Sequence, residues 1–147
     1  MVRGDKEATV SWAAPANPDC QALLGYEIIR FRNGAEDGRT PVPFGTNAWT
    51  SAPLLNGESY EFAVRAENRQ GWGVGSVLSE VGVPCGVPLQ TPAPDAEPGD
   101  QVATVTRTAD ADPNGCAVTQ YVVRVNGGAE QPLPPNGVIP NLSLIHI

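Results

Sequence analysis

Few residues of this sequence have the chemistry of a catalytic site. The only histidine is His146, within the last six residues, so a serine or cysteine nucleophile has no histidine base elsewhere in the chain. Two carboxylate pairs, Glu36 with Asp37 and Asp95 with Glu97, have the residue types of an acid and base pair. Both lie among turn-forming residues, which favours solvent-exposed turns. We therefore predict no catalytic site and no cofactor.

Two other segments have the residue types of binding sites. DADPNG from Asp110 resembles the opening of a calcium loop, but Tyr121 stands where the closing glutamate is required, so we predict a turn and no metal site. Trp72 lies between glycines in RQGWGVG, which predicts a loop tip. It is the candidate for stacking on a sugar or a protein partner; the alternative is a ring folded onto neighbouring loop residues.

The charge of the chain restricts its partners. The formal net charge is −7, with 16 acidic against 9 basic residues, so phosphate backbones and anionic lipid are repelled. No apolar run approaches the length of roughly 20 residues that spans a bilayer, and the first ten residues lack the apolar core of a signal peptide. We expect no nucleic-acid partner and no membrane insertion in this segment, with any export signal outside it.

The elements that position these residues are short strands. Three runs are rich in β-branched or aromatic residues and are bounded by Pro, Gly, Asn and Asp: Ala8 to Trp12, Tyr26 to Phe31 and Tyr60 to Ala66. In the last run apolar and charged residues alternate, as in an antiparallel sheet buried on one face. No stretch has a helical apolar stripe of useful length. The fold class is predicted to be all-β.

An internal repeat indicates two units of one kind. GDKEATVSW from Gly4 matches GDQVATVTR from Gly99, and Tyr26 matches Tyr121, the same shift of 95 residues. We predict one domain at 1–84, a linker at 85–88 and a partial second domain at 89–141. The first domain lacks most of its first strand, and the second stops before its sixth.

The first repeat resembles a fibronectin type III domain over nearly its whole length. The most specific part is LLNGESYEFAVRAENRQGWG from Leu54, with a tyrosine, alternating apolar residues and a glycine-containing loop. The resemblance implies tandem immunoglobulin-like β-sandwiches, with Tyr60 as the tyrosine that hydrogen-bonds back to the preceding corner. It implies a structural core made of Trp12, Tyr26, Ile28, Leu54, Tyr60, Phe62 and Val64. Arg107 replaces the core tryptophan in repeat two, which is the weaker match.

The final segment, 142–147, looks foreign to the repeat. LSLIHI can be encoded by a sequence that resembles the end of a common sequencing-library adapter read in frame. We interpret these residues as adapter-derived read-through, the alternative being a hydrophobic strand.

Three cysteines indicate a disulfide framework. Cys20 and Cys116 occupy equivalent loops of the two repeats, and Cys85 lies in the linker. In the fold that the resemblance implies, the Cys116 loop lies at the pole where the chain enters the domain, near the linker. We predict a Cys85–Cys116 disulfide, an oxidising compartment, and an upstream partner for Cys20; the alternative is three unrelated thiols in a reduced cytosol.

The resemblance implies a non-catalytic function. We expect a structural spacer or interaction module of a larger extracellular or cell-surface protein, whose sequence style suggests a bacterial source. The alternatives are an accessory region of a secreted polysaccharide-degrading hydrolase and a carbohydrate-binding or protein-binding adhesion module. The partner is an unknown protein or polysaccharide.

Overall fold

The computed structural model describes residues 1–16, 22–108, 111–125, 127–134 and 138–140. Every regular secondary-structure element within those ranges is a β-strand, which confirms the predicted all-β class. The chain divides into two compact units: unit 1 comprises Met1–Val87 with Asn114–Cys116, and unit 2 comprises Pro88–Pro113 with Ala117–Ile147.

Unit 1 contains two antiparallel sheets. The smaller one has the order β1-β2-β5, built from β1 (Val2–Gly4), β2 (Glu7–Ser11) and β5 (Ala48–Ser51). The larger one has the order β4-β3-β6-β7, built from β3 (Leu23–Arg32), β4 (Ala35–Pro43), β6 (Tyr60–Asn68) and β7 (Gly71–Trp72). The three strands predicted from the sequence correspond to β2, β3 and β6, with ends that differ by at most three residues.

The core of unit 1 lies under the inward faces of β2, β3 and β6. Side chains at alternate positions of these strands share one cluster of buried residues, as period-two strands require. That cluster contains Tyr26, Ile28, Leu54, Tyr60 and Phe62, while Trp12 and Val64 are partly buried against it. The Trp12 and Tyr26 rings meet edge to face with centroids 5.5 Å apart.

The interpretation of the carboxylate pairs as turn residues was wrong. Glu36 and Asp37 lie on β4, which pairs with β3 along eight positions. Asp95 and Glu97 lie on β8 (Asp95–Pro98), a short exposed strand. Charged residues hide the strand signal in both segments, together with a glycine in β4 and a proline in β8. Strand pairing there depends on a neighbouring strand and not on local apolar alternation.

The described residues of unit 2 form two small antiparallel sheets. One has the order β12-β9-β8, in which β9 (Val102–Thr106) lies between β8 and β12 (Val138–Pro140). The other pairs β10 (Val122–Arg124) with β11 (Glu130–Pro132). The hairpin that precedes β9 has a left-handed residue at Gln101, with φ 55°, just as Lys6 before β2 has φ 58°. The repeated sequence therefore forms the same turn twice.

Tyr60 fixes the corner that precedes β6. Its side chain is 2% exposed, and its hydroxyl oxygen accepts a hydrogen bond of 3.1 Å from the Leu55 backbone N–H. A partly buried N–H that loses its acceptor costs free energy.

We expect Tyr60→Phe to lower the free energy of unfolding of unit 1 by about 1 to 3 kcal/mol, because the Leu55 N–H loses its acceptor. Urea unfolding followed by tryptophan fluorescence measures the loss. The control is Phe44→Leu, at a side chain that is 61% exposed, and it should change stability by less than about 0.5 kcal/mol. Equal midpoints for Tyr60→Phe and the parent would contradict the assigned role.

Candidate functional site

A disulfide joins the residues that follow the first repeat to a loop of the second. Cys85 and Cys116 are bonded, with their Cα atoms 5.3 Å apart and 31 positions apart in the chain. That Cα distance is typical of a disulfide. The predicted Cys85–Cys116 bridge is therefore confirmed.

The segment Asn114–Cys116 belongs to unit 1 and is held there by hydrogen bonds as well as by the disulfide. The Asn114 side chain donates to the Val87 carbonyl at 2.9 Å and accepts from the Asn56 side-chain amide at 2.8 Å. Its backbone carbonyl accepts from the Gly86 N–H at 3.1 Å. The same Asn56 amide nitrogen lies 2.7 Å from a carboxylate oxygen of Asp5.

Two glycines allow this segment to approach the corner before β6. Gly115 has φ 89°, and a Cβ there would lie 2.5 Å from the Gly57 nitrogen and 2.6 Å from the Pro84 oxygen. Gly57 has φ 86°, and its own N–H donates to the Pro84 carbonyl at 3.0 Å. Any larger residue at 115 would collide with backbone, so the close contact depends on glycine.

The segment 73–82, which we call the last-strand segment, runs along β6 in an unequal register. Its N–H groups at Gly73, Ser76, Ser79 and Gly82 donate to the carbonyls of Ala66, Val64, Phe62 and Tyr60 at 2.8 to 2.9 Å. Three residues of this segment therefore match two residues of β6 at each step. A regular ladder needs equal steps, so most of the segment is not a regular strand.

Serine side chains supply the acceptors that the unequal register removes. The Ser76 hydroxyl oxygen accepts the Val64 N–H at 3.0 Å, and the Ser79 hydroxyl oxygen accepts the Phe62 N–H at 3.1 Å. Each hydroxyl also donates to the carbonyl of the next residue, at 2.9 and 3.0 Å. Sequence reasoning missed these serines, although glycine or serine at every third position from Gly73 to Gly82 was a readable signal.

Trp72 lies on β7 and not on a loop tip, so that part of the prediction was wrong. It pairs with Glu67 of β6, and the Arg65 guanidinium stacks over its ring at 4.8 Å from the centroid. Arg65 is held in turn by two contacts with the Glu27 carboxylate, at 2.7 and 2.6 Å. The ring is thus held by a charged side chain and remains 40% exposed.

Ion pairs extend from Glu27 across the outward face of the larger sheet to Arg39 and Glu36, and we call the set of side chains from Arg65 to Glu36 the row of charges. Arg39 lies 3.3 Å from Glu27 and makes two contacts with Glu36, at 2.7 and 2.9 Å. The hydrogen bonds from Arg39 lower the pKa of the Glu36 carboxyl. A lowered carboxyl pKa favours the folded chain above the ordinary pKa of glutamate, and this contribution disappears as the pH falls through the lowered value. Both side chains are exposed, so the effect is small.

A cavity of about 570 Å³ opens beside Trp72 in unit 1. It lies between the residues that follow β2 and the beginning of the last-strand segment. Its lining includes the rings of Trp12, Tyr26 and Trp72 and the polar side chains of Asn68, Gln70 and Ser76. We call it the aromatic cavity.

Within the described ranges, no group of three or more His, Cys, Asp or Glu side chains is placed to hold a metal ion. The same ranges contain no helix long and apolar enough to cross a membrane. Cys20, Asp110, His146 and the segment 142–147 lie outside the described residues.

The fold and the disulfide together define an antiparallel β-sandwich module, and comparison with known proteins specifies which kind. Residues 2–81 match the model of the fibronectin type III domain. The chain therefore belongs to the fibronectin type III family, whose domains are generally non-catalytic modules of larger proteins.

Individual relatives agree with this assignment. The chain is 38% identical to integrin beta-4 of Rattus norvegicus over 73 residues, which is 48% of this chain and 4% of that protein. A segment of two fibronectin type III domains from chicken tenascin has a TM-score of 0.53 at 14% identity, covering 97% of this chain and 79% of that one. The FN1–FN3 domains of chicken CNTN1 have a TM-score of 0.51 at 19% identity, covering 73% and 38%. These two structures share the fold.

We expect Ser76→Ala and Ser79→Ala each to lower the free energy of unfolding of unit 1 by about 1 kcal/mol, because each leaves a β6 N–H without its acceptor. Hydrogen exchange should accelerate at the Val64 amide in the first variant and at the Phe62 amide in the second. Ser11→Ala, at an exposed position of β2, is the control and should have an effect below about 0.5 kcal/mol. Unchanged exchange at both amides would refute the role of the serines.

We expect replacement of both Cys85 and Cys116 by serine to lower the free energy of unfolding by about 3 to 4 kcal/mol, because the bridge closes 31 residues and restricts the unfolded chain. Urea unfolding without reductant measures the difference from the parent. Cys20→Ser is the matched control and should leave the midpoint unchanged. A double variant as stable as the parent would show that the bridge does not stabilise the fold.

Proposed function

We propose that this chain is a non-catalytic structural and interaction segment of a larger extracellular or cell-surface protein. In this proposal it comprises a domain at 1–84, a linker at 85–88, a partial domain at 89–141 and an adapter-derived tail at 142–147. Family membership supports a modular role, since fibronectin type III domains serve structural or interaction functions within larger proteins. Bacterial origin stays part of the proposal.

The observation that carries the proposal is the disulfide together with the packing around it. Cys85 and Cys116 connect the residues after the first repeat to a loop of the second, and the segment Asn114–Cys116 is counted within unit 1. The disulfide and the hydrogen bonds hold these two segments of the chain together, which suits a module with a structural role in a larger protein. Structural disulfides persist in oxidising compartments, which supports an extracytoplasmic location.

The enzyme-accessory alternative differs in what the flanking sequence encodes. A polysaccharide hydrolase domain in the same reading frame would favour the alternative, while further repeats, a membrane anchor or a wall-attachment signal would favour the spacer. In either case we expect this segment itself to have no catalytic role, because fibronectin type III domains are generally non-catalytic modules of larger proteins.

We expect the native protein to contain the Cys85–Cys116 bridge as it is isolated. Cells are quenched with acid, free thiols are alkylated, and peptides are mapped without reduction. The linked pair should then be recovered together, and Cys20 within the same map shows whether it has an upstream partner. Recovery of Cys85 and Cys116 as alkylated thiols, from protein that has not been exposed to a reductant, would contradict the extracytoplasmic proposal.

A further inference from the structure

The backbone around Cys85 is held in unit 1 by contacts that do not involve its sulfur atom. The Cys85 N–H donates to the Gly4 carbonyl at 3.2 Å. The preceding residue, Pro84, is fully buried, and its carbonyl accepts the Gly57 N–H at 3.0 Å. The buried proline and the two backbone hydrogen bonds therefore fix the position of Cys85 whether or not its sulfur is bonded.

The segment Asn114–Cys116, which we call the docked segment, is also held without its sulfur atom. Hydrogen bonds reach both the side chain and the backbone of Asn114. The side chain bonds to the Val87 carbonyl and to the Asn56 amide, and the backbone carbonyl accepts the Gly86 N–H. These contacts attach the segment to unit 1 independently of the disulfide.

The Asn56 side chain is oriented before the docked segment arrives. Its oxygen accepts the Lys6 N–H at 2.9 Å, so its amide nitrogen faces away from that N–H. The nitrogen lies 2.7 Å from a carboxylate oxygen of Asp5 and 2.8 Å from the Asn114 side-chain oxygen. A donor that is already held in place loses little conformational entropy when its partner binds.

The docked segment has a backbone conformation that its own residues favour. Asn114 has φ 49° and Gly115 has φ 89°, so both are left-handed. Glycine and asparagine are residue types that adopt this conformation readily. The conformation needed for docking is therefore encoded locally and does not require the bridge.

We propose that the docked segment stays attached to unit 1 when the Cys85–Cys116 bond is reduced, and that it holds the two thiols together so that the same bond re-forms. The bridge then reinforces a contact that exists without it. Reduction lowers the resistance of the chain to unfolding but leaves the loop in place. The inference goes beyond the proposed function, because it concerns the chain after reduction.

Glutathione disulfide is a suitable oxidant for re-forming the bond. Cys116 is exposed and Cys85 is half-buried, so the Cys116 thiolate attacks one sulfur of glutathione disulfide and releases one glutathione thiolate. The Cys85 thiolate then attacks the Cys116 sulfur of the mixed disulfide, and the second glutathione leaves as a thiolate. The protein loses two electrons and two protons, and glutathione disulfide gains them as two molecules of glutathione.

Hydrogen exchange at the Gly86 amide reports whether the segment is docked, because the Asn114 carbonyl is the acceptor of that amide. The test uses the 147-residue chain with Cys85→Ser and Cys116→Ser, which we call the bridge-free chain. We expect the Gly86 amide to stay protected in the bridge-free chain. Protection of the Tyr60 amide, at the beginning of β6, establishes that unit 1 is folded.

A variant of the bridge-free chain tests the assigned contacts. Asn114→Gly removes the side chain and keeps the left-handed turn. It should lower the protection of the Gly86 amide at least about tenfold, which equals about 1.4 kcal/mol. The matched control is Asn68→Ala, because the Asn68 side chain accepts the Gln70 N–H at the other end of β6. The control should leave exchange at Gly86 unchanged.

A second measurement follows re-formation of the bond. Each chain carries Cys20→Ser, so that one pairing is possible, and is equilibrated with a mixture of reduced and oxidised glutathione. Gly115→Ala places a Cβ against backbone atoms and prevents docking, so it should lower the equilibrium constant for oxidation at least about tenfold. Gly75→Ala is the control, since a Cβ there meets no atom within 4 Å, and it should oxidise like the parent.

Three results would overturn the inference. The first is rapid exchange at the Gly86 amide of the bridge-free chain, whether or not the Tyr60 amide stays protected. The second is unchanged protection of Gly86 in Asn114→Gly, and the third is an unchanged equilibrium constant in Gly115→Ala. None of them affects the thiol mapping of the native protein, so failure of this inference and failure of the proposed function are separate results.

Discussion

The pairing of β6 with β3 is the interaction on which the rest of unit 1 depends. Nine residue pairs join the two strands, and each side of β6 then has a distinct task. The inward side chains Tyr60 and Phe62 fill the core, while the outward Arg65 supports the row of charges and the Trp72 ring. The free edge of β6 receives the last-strand segment. Because side chains alternate along a strand, a shift of the register by one residue would turn the inward side chains of β6 outward and the outward ones inward.

The unequal register of the last-strand segment has consequences for the edge of the sheet. A regular edge strand presents unpaired backbone groups that can template further strand pairing. Here the segment follows β6 at every third residue, so its outer backbone groups lack the regular spacing that another strand would need. The exposed side chains of Val74, Val77 and Val81 therefore lie on an edge that is poorly suited to strand addition. The two serines reduce the free-energy cost of this arrangement, because their hydroxyl oxygens accept hydrogen bonds from backbone N–H groups of β6.

The disulfide joins two segments that already contact each other through close backbone packing and hydrogen bonds. Gly115 and Gly57 permit backbone to approach backbone, and the Asn114 side chain bridges the Val87 carbonyl and Asn56. These hydrogen bonds and the close packing set the position of the loop, and the bridge restricts the chain when the packing opens. Similar folds at 14% and 19% identity show that the sandwich itself tolerates wide sequence change.

Local pattern in the sequence was enough to determine the all-β class and the strands β2, β3 and β6, and the fold implied by the family resemblance added the Cys85–Cys116 pairing. Apolar alternation is a local property, and the repeated cysteine position reports on a loop that occurs twice. Only the tertiary structure decided that Glu36 and Asp37 lie on a strand, since β4 forms by pairing with β3 and not by its own pattern. The stacking of Arg65 on Trp72, the serine acceptors and the aromatic cavity were also decided there. Each joins residues whose proximity depends on strand register, and register is set by contacts between segments distant in the sequence.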